Sequence, residues 1–272
     1  MMLTDQFSVC TSSSASVYQA TSTIIPVVDL AVPVNQIVDF GNSLFGEENV
    51  ENGGAISEIV QTSSAELELV IHPALTLTML QAPTAFNGVG IDSTGGVLWG
   101  AGVCLARWLK EEQVRDKYVL ELGCGGGAPS MVASKYNATH VLSTDFEIST
   151  LERMDLHIKL NNCQQNMELR KLDWQDLDVS DDYQADVILA SDIIYGVSKL
   201  SDLVNTVDKY LAPVGTLFLA TRDGRQGIAE FRQMMSNQFV EAEMIPCDAS
   251  QLNAQVMGRW FGSHTIHVFQ RK

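Results

Sequence analysis

The chain has 272 residues, 46% of them hydrophobic, enough for a sizeable core in one large domain or a domain with an appendage. Its formal net charge at pH 7 is −16, and residues 1–106 hold ten acidic side chains, from Asp5 to Asp92, and no lysine or arginine. A surface of that sign repels phosphate backbones and draws basic partners, which makes nucleic acid a poor candidate substrate and a lysine-rich protein a good one. The same acidity also serves solubility alone.

Apolar stretches such as Ile24–Val34 are broken by Pro26, Asp29 and Pro33 and are too short to span a bilayer, so no membrane association is expected. No secretory leader is recognisable. The five cysteines, Cys10, Cys104, Cys124, Cys163 and Cys247, are widely spaced and never form C-x-x-C. That pattern argues against a disulfide framework or a structural zinc site and for a reducing cytoplasm.

In chain order, residues 1–62 form an acidic, Ser/Thr-rich segment expected to be partly flexible, with short helices at Ile37–Phe45 and Ile56–Thr62. Residues 63–272 carry the main domain. Glu66–Ile71 and Leu75–Leu80 alternate at period two around His72-Pro73-Ala74, the pattern of a β-hairpin. Val97–Lys110 has the spacing of an amphipathic helix opened by Gly95-Gly96. Strands at about 117–122, 139–145, 167–172, 185–191 and 214–220 then alternate with helices at about 127–136, 148–161, 197–211 and 226–236. This rhythm predicts an α/β fold with right-handed βαβ units and a mostly parallel sheet. Phe239–Cys247 and Thr265–Gln270 break it, and the last strand is expected to return antiparallel.

The most informative segment is Tyr118-Val-Leu-Glu-Leu-Gly-Cys-Gly-Gly-Gly-Ala-Pro-Ser130: a buried strand, a glycine loop and the start of a helix. Gly123, Gly125 and Gly127 let the backbone turn tightly and approach a ligand closely. Asp145 ends the next strand twenty residues beyond Gly125, where an acid meets the ribose hydroxyls of a nucleotide. Gly123, Gly125 and Ala128 also satisfy the dinucleotide fingerprint, so NAD and S-adenosylmethionine both fit the loop. Glu121, two residues before the first glycine, is positioned in sequence to receive a methyl donor's charged amino-acid end. Ligands of open parallel sheets bind beyond the carboxyl ends of the strands. Those ends here read Gly123-Cys-Gly125, Asp145-Phe-Glu147, Asp173-Trp174 and Ser191-Asp192-Ile-Ile-Tyr195. His264 and His267 lie on opposite faces of a strand and make no metal pair. No metal site is expected.

Taken together, these motifs resemble the seven-strand, Rossmann-like methyltransferases, and within them family 16, whose known members mostly methylate protein lysines. The likeness covers roughly Gly95–Gln270. Val97-Leu-Trp99-Gly-Ala-Gly resembles the family's tryptophan motif, Glu121–Gly127 its donor loop, Asp173-Trp174 its adenine-side segment and Asp192-Ile-Ile-Tyr195 its Asp-x-x-Tyr signature. The resemblance implies a methyltransferase domain over 63–272, S-adenosylmethionine as cofactor, and Trp99, Gly123, Cys124, Gly125, Asp145, Trp174 and Ser191 around it, with Cys124 contributing backbone only. It makes Asp192 and Tyr195 the candidates for orienting the acceptor lysine. It further implies a protein substrate; a monomer, in the cytoplasm or also the nucleus, is expected. A histidine or small-molecule acceptor, and a binding module without turnover, stay open alternatives. For an NAD-dependent dehydrogenase there is no recognisable catalytic histidine or second domain. Gly100 and Gly102 depart from the bulkier helix formers common in relatives and loosen that helix's first turn.

Overall fold

The computed structural model describes residues 66–80, 95–195, 197–248 and 262–272. The readings of residues 1–62 lie outside the described residues. The chain begins its described course with the antiparallel hairpin β1 (Glu66–His72) and β2 (Leu75–Leu80). It continues through α1 (Gly100–Trp108), α2 (Glu111–Val114), β3 (Tyr118–Leu122), α3 (Ala128–Lys135), β4 (His140–Asp145), α4 (Ile148–Leu160) and β5 (Met167–Lys171). Then follow β6 (Ala185–Ser191), α5 (Leu200–Tyr210), β7 (Leu211–Arg222), α6 (Ile228–Met235), β8 (Phe239–Asp248) and β9 (Ser263–Arg271).

Strands β3 to β9 form one seven-stranded sheet in the order β5-β4-β3-β6-β7-β9-β8. The first five run parallel, and β9 inserts antiparallel between β7 and β8. The expected α/β fold with an antiparallel last strand and an N-terminal hairpin is therefore the observed one. Pro129 sits in the first turn of α3, where its missing N–H has no intrahelical acceptor to lose.

Side chains alternate across the sheet and feed two cores. Val119, Val141, Val187, Leu189 and Ala220 face one layer of helices, which includes α1, α3 and α4. Leu120, Leu142, Ile188, Leu217 and Leu219 face α5 and α6 on the other. The hairpin joins the first core: Leu67, Leu69, Ile71, Leu77 and Met79 point inward, while Glu68 and Val70 point out.

This hairpin changes the character of α1. The sequence reads as an amphipathic helix with one wet face, yet Gly100 to Ala106 are all buried. The sheet covers one side and the hairpin covers the other, with Arg107 Nε donating to the Val70 carbonyl at 2.8 Å. The small residues Gly100, Ala101 and Gly102 thin the helix so that it fits between two layers. A Cβ on Gly102 would stand 3.3 Å from Ser191 Oγ.

The hairpin's inward leucines are thus part of the domain core. Leu77→Ala should cost about 2–5 kcal/mol of unfolding free energy, measured by chemical denaturation. A loss under about 1 kcal/mol would show that the hairpin is an ornament on an independently stable sheet.

Candidate functional site

The site grows from the switch point of the sheet, where β3 has β4 on one side and β6 on the other. Beyond β3 the backbone enters the left-handed region at Gly123, Gly125 and Gly127, with φ of 61°, 51° and 69°. A side chain at Gly123 would also collide with Ile193, since its Cβ would lie 2.8 Å from Cγ2. The loop is pinned to its neighbour strand: Cys124 N–H donates to the Thr144 carbonyl at 2.8 Å, and Gly125 N–H to Asp145 Oδ2 at 3.2 Å. The other Asp145 oxygen accepts from Glu147 N–H at 3.1 Å. Burial raises the Asp145 pKa above the usual carboxylate range, although these backbone donors oppose the shift.

Loop and strand ends enclose a cavity of about 310 Å³. Ten of the residues singled out in the sequence line it: Trp99, Gly123, Cys124, Gly125, Asp145, Asp173, Trp174, Ser191, Asp192 and Tyr195. Glu121 stands apart. It is fully buried and does not face the cavity; its Oε2 accepts from Ser130 N–H at 3.1 Å, beneath the loop at the start of α3. Strand alternation explains this, because Glu121 shares the face of Val119, which packs against the first helical layer. Its placement corrects the expectation that it receives the ligand directly. Its other oxygen has no protein partner, and desolvation pushes its pKa up to about 8.

Asp192 occupies a left-handed turn, φ 53°, with its N–H donating to the Ala220 carbonyl at 3.0 Å. It does not cap α5, whose N-cap is Lys199. Its Oδ1 instead accepts two bonds from Arg225, from Nε at 3.0 Å and Nη2 at 2.6 Å. Arg225 also lines the cavity and is a site residue that sequence reading missed. Tyr195 is 65% exposed at the cavity mouth. Lys199 lies over the Phe146 ring at 5.7 Å, and both also line the cavity. Among the described residues no cluster of His, Cys, Asp or Glu is arranged to hold a metal. His267 Nδ1 lies 2.6 Å from Glu241 Oε1, away from the cavity.

The cavity fits an S-adenosyl nucleoside. The glycine cradle is space that Cβ atoms would fill, Asp145 stands where a ribose diol would need an acceptor, and Leu172, Trp174 and Ile193 supply apolar walls. The fold itself recurs in solved structures. A Streptococcus mutans structure described as a SAM-dependent methyltransferase superposes with a TM-score of 0.55 at 13% identity, covering 78% of this chain and 57% of that one. Residues 83–238 match the model of the lysine methyltransferase family, and the chain belongs to that family. Among curated relatives, the protein-lysine N-methyltransferase EFM3 of Chaetomium thermophilum is 29% identical over 57% of this chain and 50% of its own length. The mouse protein N-lysine methyltransferase METTL21A is 27% identical over 54% of this chain and 70% of its own. The histone-arginine methyltransferase METTL23 of Xenopus laevis is 32% identical over 42% of this chain and 50% of its own. The chain thus spans about half the length of EFM3 and of METTL23.

Glu121 gives the site a pH signature. Its carboxyl is held neutral by burial, so its favourable state is fully present below the ordinary pKa of 4.5 and is lost as pH rises through about 8. Glu121→Gln, which cannot ionise, should gain on the wild type by roughly 3–5 kcal/mol across that window. Denaturation curves at pH about 5 and above pH about 8 measure it, and a pH-independent difference would disprove a buried neutral acid.

Proposed function

We propose that this protein transfers a methyl group from S-adenosylmethionine to a lysine side chain of a protein substrate. The observation that carries the reading is the convergence of Asp192 and Tyr195 with the glycine loop and Asp145 on one cavity. The residues that would hold the donor are Gly123, Cys124 and Gly125 through backbone, Asp145 at the ribose, and Asp173, Trp174, Trp99 and Ser191 along the walls. When bound, the donor supplies an electrophilic methyl on a sulfonium.

The chain's own residues must then deliver an uncharged amine in line with that methyl, and orientation accounts for much of such a rate. Lysine in water has a pKa of about 10.4, so the site has to desolvate the ammonium or take its proton. Asp192 is fixed by Arg225 through one oxygen, which sets the plane of its carboxylate toward an incoming nitrogen. Tyr195, at the mouth, offers its ring face to a cation and its hydroxyl as a hydrogen-bond partner. Held on one oxygen by Arg225, Asp192 is fixed in orientation, which suits an orienting role.

A basic partner suits the acidic character of residues 1–106. A monomer in the cytoplasm or nucleus completes the reading, supported by cysteines too scattered to form a disulfide framework.

S-adenosylhomocysteine should raise the melting temperature and NAD should not. Labelled donor incubated with a lysate should mark protein lysines, located by mass spectrometry. Asp192→Ala and Tyr195→Phe should each lower that transfer by about a hundredfold or more while S-adenosylhomocysteine affinity stays within about threefold. Stabilisation by NAD alone, label on another acceptor, or full transfer by both variants would each refute the corresponding part of the proposal.

A further inference from the structure

Strand β2 pairs with β1 along one edge, and among the described residues its other edge is covered by side chains rather than by another strand. Thr78 N–H donates to Asn161 Oδ1 at 2.8 Å, and Asn161 Nδ2 returns a bond to the Thr78 carbonyl at 2.7 Å. Two residues on, Leu80 N–H donates to His157 Nε2 at 2.8 Å. The match is geometric. Residues four apart on a helix are separated by about 6 Å along its axis, and residues two apart on a strand by about 6.8 Å. One face of α4 and its C-cap, His157 and Asn161, therefore stands in for a third strand.

His157 does more than Asn161. Its Nδ1 lies 2.9 Å from the Gly126 carbonyl, in the glycine loop that lines the cavity. Because Nε2 accepts from Leu80 N–H, the ring proton sits on Nδ1 and is donated to Gly126. The ring is 1% exposed. Desolvation, with Arg153 nearby on α4 as a like charge, lowers its pKa and keeps this neutral tautomer; from the hairpin it meets Leu80 backbone and from the loop Gly126 backbone. The roof is packed as well as bonded. A Cβ on Gly126 would stand 3.1 Å from the Met79 methyl of the hairpin, and one on Gly127 would collide with Met154 of α4.

We infer that His157 is a positioning residue for the donor loop, joining the N-terminal hairpin to the Gly126 carbonyl so that hairpin docking and donor binding strengthen each other. The inference rests on the donor reading of the cavity given above. It makes the hairpin a working part of the site, because a coupling between two sites must act in both directions. A purely structural histidine would hold the hairpin down whether or not the cavity is filled.

The test uses the full chain, S-adenosylhomocysteine as probe, calorimetric titration for affinity and amide hydrogen exchange across residues 66–80. In the wild type the ligand should slow exchange of that peptide at least threefold. His157→Ala should bind at least tenfold more weakly, and at saturating ligand its hairpin exchange should not respond. His157→Asn keeps a donor at the position of Nδ1 and loses the acceptor at Nε2. It should bind within about threefold of the wild type while its hairpin no longer responds, and it serves as the decisive variant if His157→Ala does not fold. Hairpin exchange in the wild type that is indifferent to bound ligand, or an Asn variant whose hairpin responds as the wild type does, would overturn the coupling. Failure of the wild type to bind S-adenosylhomocysteine at all would overturn the donor reading and this inference with it.

Discussion

The parallel pairing of β3 with β6 is the contact on which the site depends. Val119 lies beside Val187 and Leu122 beside Ala190, all buried, so the two strands end at the same level. The glycine turn after Leu122 and the Asp192 turn after Ser191 are thereby brought together from positions almost seventy residues apart. Neither turn has the geometry of a regular element. Each depends on left-handed backbone, at three glycines on one side and at Asp192 itself on the other. Asp is among the few non-glycine residues that tolerate that conformation, and here the Ala220 carbonyl and Arg225 hold it in place.

Charge around the cavity follows one theme. Asp145 is pushed up by burial, Glu121 beneath the loop more so, and the Cys124 thiol well above its ordinary value. Each shift records a group that burial holds toward its neutral form. At the mouth the sign is mixed: Asp192 is already matched by Arg225, and Lys199 rests on Phe146. An acceptor lysine would have to share Asp192 with a resident guanidinium.

Much of this was legible in the sequence, because local rules govern most of it. Strand ends, glycines and the order of elements follow from hydrophobic period and turn chemistry, and β6 and β3 fall within a residue of where their apolar runs place them. Glu121 was misread because spacing to a glycine says how far a residue is, whereas strand parity says which way it points. Arg225 lies 33 residues from Asp192, and only the packing of the segment after β7 brings them together. His157 shows no pattern in sequence, being a lone histidine in a helix, and its partners lie 77 and 31 residues away. The burial of α1 was readable in principle from Gly100-Ala-Gly102, a composition that suits close packing on two sides better than a solvated helix.

The long reach of the hairpin contacts bears on how the chain is made. The hairpin emerges from the ribosome first, yet the helix face that holds its free edge follows 77 to 83 residues later. At synthesis rates of about 5–20 residues per second, that is a delay of about 4–17 s. A two-stranded hairpin has little stability alone, and this one presents Leu67, Leu69, Ile71, Leu77 and Met79 on a single face. Nascent chains therefore carry an apolar strand pair without its edge partner for seconds, exposed to chaperones and to mispairing between neighbouring polysomal chains.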